Sequence, residues 1–106
     1  MSTAEKQQFL YFFEAIRPEL ITNPEAWTKE DREIGKAHYS YLKQATETGI
    51  VILAGRSTDG LGPAIVIIEV ESEVSARDFM ENDPFVKYGL MRASLHPFRA
   101  ALMRKV

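Results

Sequence analysis

Residues 64–71, AIVIIEVE, and residues 9–16, FLYFFEAI, decide the fold. Both runs are short and rich in β-branched or aromatic residues, as strands are. Over Phe9–Phe13 and Ala64–Ile68 the apolar residues occupy both parities. An alternating pattern marks a strand with one wet face, whereas this one marks a strand covered on both sides, central in its sheet. Arg17-Pro18 ends the first run.

Two further strands and two helices follow outward from these. Residues 17–28, RPELITNPEAWT, hold two prolines and no clear period. A connection of that length in a small domain is usually functional or ordered by its own packing. Thr28 with Asp31 three residues later forms a start like a capping box. It predicts a helix from about Lys29 to Thr48, stopped at Gly49. Residues 50–57, IVILAGRS, read as the second strand, and Asp59-Gly60-Leu61-Gly62-Pro63 as the turn of a hairpin into the third. Ser72 caps a helix over 73–82, which Pro84 ends at Asp83. Val86 to Leu90, with Gly89, reads as a short turn region. The last strand is predicted within Ala93–Met103, and its Pro97, which cannot donate to a ladder, puts it at an edge.

The order β-α-β-β-α-β, with the first and third strands central, is the split βαβ or ferredoxin-like arrangement. The expected class is therefore α+β, a four-stranded antiparallel sheet with two helices on one face, in a single domain over 1–106. Two helices cover only one face, and no chain remains for the other. A second copy set sheet against sheet, a homodimer, is the economical solution. The rival is a monomer whose loops fold over that face.

Composition narrows the function classes. Of 106 residues, 13 are Lys or Arg and 15 Asp or Glu, a formal charge of −2. Neither half has the basic excess that phosphate-backbone binding needs, so no nucleic-acid partner is expected. With no cysteine, disulfides, thiolate zinc sites and a cysteine nucleophile are excluded. No apolar run approaches the ~18 residues of a membrane span. The polar start, Met1 to Gln8, lacks the order of a signal peptide. A cytoplasmic location without membrane partners is the expectation.

Two residues carry the chemical interest. On the first helix the apolar stripe is Ile34, Tyr41, Leu42, Ala45, and His38 falls on it. On the second it is Ala76, Phe79, Met80, and the next position is Asp83. A histidine and an aspartate thus point inward from two helices that should pack side by side. A buried carboxylate is costly unless paired, and such a pair can serve as a general base and the group that orients it. Two plainer readings stand beside this. His38 can be a satisfied core residue, and Asp83 before Pro84 can simply cap the turn DPFVKYG through backbone bonds. His96, next to Pro97, reads as a structural or dimer-surface residue. The glycines at 55, 60 and 62 match no phosphate-binding loop, and no three metal ligands stand at useful spacing. No metal or cofactor is expected.

The order of short motifs resembles the YCII-related (YciI-like) family. The residues that carry the resemblance are His38-Tyr39-Ser40-Tyr41-Leu42, Gly49, Leu53-Ala54-Gly55, Asp59-Gly60, Asp83-Pro84-Phe85 with Gly89-Leu90, and His96-Pro97-Phe98. The match runs from Phe9 to Arg99. No single piece is specific; their order and spacing together are. The resemblance implies a dimeric α/β barrel, with His38 and Asp83 at the positions of the proposed active-site pair. One characterised relative is a dehydrochlorinase acting on a chlorinated hydroxyhydroquinone. This chain departs from the pattern in two places. Many relatives carry Pro after the Ala-Gly, where this chain has Arg56, either a cation suited to an anionic substrate or a solvated loop arginine. The segment before the first helix is also longer and carries Trp27, a lid over the pocket or a plug against the helix.

The resulting expectation is a small acid–base enzyme working on a small cyclic or aromatic molecule, of dehydrohalogenase, isomerase or lyase type. His38 moves the proton, Asp83 holds His38, and Gly55, Arg56, Ser57 and Trp27 border the substrate. The alternative is a non-catalytic module of the same fold, for ligand binding or dimerisation, with the pair as a buried structural bond.

Overall fold

The computed structural model describes residues 5–104. Its elements are β1 (Gln7–Ala15), α1 (Glu19–Thr22), a single 3-10 turn (Pro24–Ala26), α2 (Lys29–Glu47), β2 (Val51–Arg56), β3 (Ala64–Val70), α3 (Glu73–Asn82), α4 (Pro84–Lys87) and β4 (Met91–Phe98). The strands form one antiparallel sheet in the order β2-β3-β1-β4. The two runs that are apolar at both parities are the central strands, and the strand with Pro97 is an edge. This is the ferredoxin-like arrangement.

Local chemistry sets the boundaries. Both arms of the capping box at α2 are made: Thr28 Oγ1 accepts from the Asp31 N–H at 3.0 Å, and Asp31 accepts from the Thr28 N–H at 2.9 Å. Gly49 follows the helix with a φ of 92°, a backbone state that glycine adopts freely. Ser72 accepts from the Ser75 N–H at the start of α3. Two stretches hold more helix than their sequence signals. Residues 17–28 contain α1 and the 3-10 turn, each too short to show a helical period. The region after Asp83 opens with a helix of four residues: Pro84 holds Asp83 extended (φ −60°, ψ 125°) yet itself occupies the first position of α4, where its missing N–H costs nothing. The last strand starts at Met91 and ends at Phe98.

The register divides the sheet into two faces. Tyr11 lies opposite Val66 and Phe9 opposite Ile68. These four are at most 2% exposed and pack with Leu42 and Ala45 of α2 and Ala76 and Met80 of α3. A second cluster, Leu20, Leu90 and Met91, lies where α1 and α4 close over the end of β1. On the opposite face are Leu10, Phe12, Ile65 and Ile67, partly covered, with Leu53 at 49% exposure. His96 lies flat on Phe12 there, with ring centroids 5.3 Å apart and planes 2° apart.

Arg17, just after β1, reaches across to Asp31 in the first turn of α2. That hydrogen bond, helped by the Thr28 N–H, holds the Asp31 carboxyl below its ordinary value. A lowered folded-state value means that the contribution to stability is present above the unfolded value of ~3.9 and is lost as pH falls through the folded one. Asp31→Asn should therefore flatten the acid limb of stability against pH in urea unfolding, with little change in the pH dependence above ~5.

Candidate functional site

α2 and the turn between α3 and α4 bring His38 and Asp83 together. Nδ1 of His38 lies 2.6 Å from Oδ1 of Asp83. Asp83 is fully buried, while the His38 side chain keeps 16% exposure. Asp83 is also a cap, as its place before Pro84 suggested: the same Oδ1 accepts from the Phe85 N–H at 3.1 Å at the start of α4. The cap places Phe85, whose ring stacks on the imidazole at 3.8 Å between centroids and 15° between planes. Phe13 meets the imidazole edge-on at 5.4 Å. The ring is thus held on one face and at one edge while its nitrogen is hydrogen-bonded.

Tyr11 of β1, a residue the sequence did not single out, completes the arrangement. Its hydroxyl donates to Oδ2 of Asp83 at 2.9 Å. Burial, and next the charge of Asp83, push the Tyr11 phenol far above the ordinary tyrosine value, so it stays a donor. Tyr41 is likewise pushed up to about 12, by burial and then by Asp83 and Asp78, and donates to the Phe79 carbonyl. Asp83, as a carboxylate, can only accept. Its three partners are then the Tyr11 hydroxyl, the Phe85 N–H and Nδ1–H of His38. A neutral imidazole with its proton on Nδ1 carries its lone pair on Nε2. Among the described residues nothing hydrogen-bonds Nε2, and none of their side-chain nitrogens or oxygens is both buried and unpartnered. Nε2 therefore keeps access to solvent, and His38 is among the residues that line the adjoining cleft. The parity of Tyr11 along β1, on the same face as Phe9 and Phe13, was the sequence signal that could have found it. Its distance of 72 residues from Asp83 concealed the contact.

His38 lines a cleft of about 1060 Å³ whose apolar walls include Phe13, Trp27, Phe85 and Met91. Trp27 borders it, with the indole N–H donating to the Leu20 carbonyl at 2.8 Å, so the ring also fastens α1 to the start of α2. The residues expected around Gly55 divide by parity. Arg56 pairs with Ala64 and shares the helix-covered side with Val66, whereas Gly55 pairs with Ile65 on the other side. A side chain at Gly55 would meet no atom within 4 Å. The Ser57 hydroxyl is used in the hairpin, donating to Asp59 at 2.6 Å. Gly62 packs so tightly there that an added Cβ would lie 2.7 Å from the Ser57 Cβ. Gly55 and Ser57 thus shape the rim through backbone and turn, and Arg56 is the one of the three whose side chain faces the helix layer. Among the described residues, no three His, Asp or Glu side chains are grouped to hold a metal, and no helix is long and apolar enough to cross a membrane.

A small α+β protein with an inward His–Asp pair beside an aromatic cleft is the class that fold and site define. The YCII-related domain model matches residues 16–99, more than three quarters of the chain, and the chain belongs to that family. No curated protein matches it. Among solved structures, it is similar to the 5-chloro-2-hydroxyhydroquinone dehydrochlorinase (TftG) from Burkholderia phenoliruptrix AC1100 in complex with 2,5-dihydroxybenzoquinone. The TM-score is 0.60 at 23% identity, over 87% of this chain and 93% of that one. At that identity the likeness establishes the fold.

Proposed function

We propose that this chain is a small enzyme in which His38 and Asp83 carry out acid–base chemistry on a small cyclic or aromatic molecule, by elimination, isomerisation or a related lyase reaction. The observation that supports it most is the arrangement of the imidazole: Nδ1 bound to a buried carboxylate and Nε2 without a hydrogen-bond partner among the described residues, on a side chain that lines a cleft. Nε2 takes a proton from a carbon or hydroxyl of the substrate. The electron pair left behind either expels a leaving group or is held until the proton returns at another atom. Asp83 stabilises the imidazolium formed in that step, while Tyr11 and the Phe85 N–H keep the carboxylate in place. The aromatic walls suit a flat ring, and the dehydrochlorinase of similar fold acts on a ring of that kind. Trp27 and Arg56 border the substrate, and Gly55 and Ser57 set the shape of the rim. A positioned base of this type contributes about 10²–10⁴-fold, which suits an activated substrate such as a hydroxyquinone or a cyclic ketone.

Proton exchange tests this whatever the final product is. Small hydroxyaryl and cyclic carbonyl compounds are incubated with the protein in D₂O and followed by NMR. Deuterium uptake or elimination that depends on the protein and on His38 supports the reading. If no compound reacts with the wild-type chain, or if His38→Gln reacts as fast, the enzyme reading gives way to the binding module.

The second part of the proposal is a homodimer through the sheet face that carries Leu10, Phe12, Ile65 and Ile67. These are apolar side chains on the two central strands, and the helices all lie on the other side. Ile67→Lys places a charge in the middle of that face. It should convert a dimer into a monomer in sedimentation velocity, with the far-UV spectrum retained. A wild-type chain that sediments as a monomer would end this part alone.

A further inference from the structure

We infer that the ligand of the cleft is a small planar carboxylate whose charged end sits on Arg56 while its ring faces Nε2 of His38. This deepens the acid–base reading and rests on it. Four observations carry it. First, the register sends the Arg56 side chain out on the helix-covered side, since its partner Ala64 shares a parity with the buried Val66. Second, β2 runs back along α2 after a tight connection. The five steps from Val51 to Arg56 cover roughly 17 Å, and that length measured back along α2 from Thr48 is about 11 residues, to the level of residue 37. That puts Arg56 at about the level of His38 along the helix, and both residues line the cleft.

Third, among the described residues Arg56 has no ion pair and no side-chain hydrogen bond, whereas Arg17, Arg77 and Arg92 are each paired with a carboxylate. Fourth, the cleft is cationic in a chain whose net charge is −2. Arg32, Lys43 and Arg56 line it against one carboxylate, Glu47. Arg32 is occupied, donating to the Trp27 carbonyl at 2.7 Å, and Lys43 lies more than a helical turn beyond His38. Arg56 remains as the cation placed for a ligand that also reaches His38. A planar guanidinium takes a carboxylate through two parallel hydrogen bonds. Between the flat apolar walls of Phe13, Trp27 and Phe85 there is room for a ring.

The test compares acids with their neutral isosteres on the full chain. Benzoate and 4-hydroxybenzoate, and in parallel benzamide and 4-hydroxybenzamide, are titrated into ¹⁵N-labelled protein, following the Trp27 indole and the backbone amide of Gly35, which lines the cleft beside Trp27. The acids should bind about tenfold or more tighter than the amides. Arg56→Gln should bring the two within about twofold by weakening the acids and leaving the amides unchanged, and about 0.5 M salt should weaken only the acids. Amides that bind the cleft as well as acids, or an acid preference that survives Arg56→Gln, would overturn the inference while the acid–base reading stands. If neither class shifts the cleft resonances, the inference also falls, and His38-dependent deuterium uptake into the hydroxyaryl and carbonyl compounds decides the enzyme reading separately.

Discussion

Asp83→Ala is expected to cost about 3–5 kcal/mol of folding stability, measured by urea unfolding with Trp27 fluorescence. The carboxylate is wholly buried and accepts from three groups on three parts of the chain: Tyr11 on β1, His38 on α2 and the Phe85 N–H of α4. Alanine leaves all three without a partner, and a buried group so stranded loses its desolvation free energy with nothing in return. It also removes the cap of α4, worth ~1 kcal/mol. Against a total of about 5–15 kcal/mol for a domain of this kind, the variant is close to unfolding. Asp83→Asn separates structure from chemistry. Its amide keeps the shape and can still satisfy most of these partners, so its stability loss should be well below that of alanine. Its turnover should nonetheless fall, because an imidazolium formed beside it has no counter-charge. Equal stability losses for the two variants would show that packing, and not hydrogen bonding, holds the site.

His38→Gln is expected to lower any turnover that depends on proton abstraction by about 10²–10⁴-fold, with the far-UV spectrum and oligomeric state unchanged. Glutamine can donate to Asp83 from much the same place but carries no basic nitrogen toward the cleft. The stability change should be small, since the ring is partly exposed and its surroundings can adjust. His38→Ala leaves an imidazole-shaped gap against Phe85, and free imidazole should restore part of the lost rate. Rescue of that kind distinguishes a lost base from a disturbed structure. A His38→Gln variant as active as the parent removes the proton acceptor from the proposal.

How much of this was legible in the sequence differs from element to element. The central strands, the capping box of α2, Gly49, the hairpin and the inward direction of His38 and Asp83 all follow from local rules: period, capping and the conformational limits of glycine and proline. α1 and α4 were not legible, because helices of four residues show no period. α4 is held in place by its Asp83 cap, by the burial of Pro84 and by the packing of Phe85 on His38 and Phe13.

The sequence by itself determined the order of elements, which strands are central, and that a histidine and an aspartate turn toward one core. Those are properties of neighbours within a few residues, where backbone geometry alone relates one side chain to the next. Only the tertiary structure decided that Tyr11 donates to Asp83, that Phe85 stacks on His38, and that Arg56 faces the helices while Gly55 faces away. Each of these joins groups distant in the chain through strand register or helix docking. A one-residue slip in either would reverse them without changing any local signal.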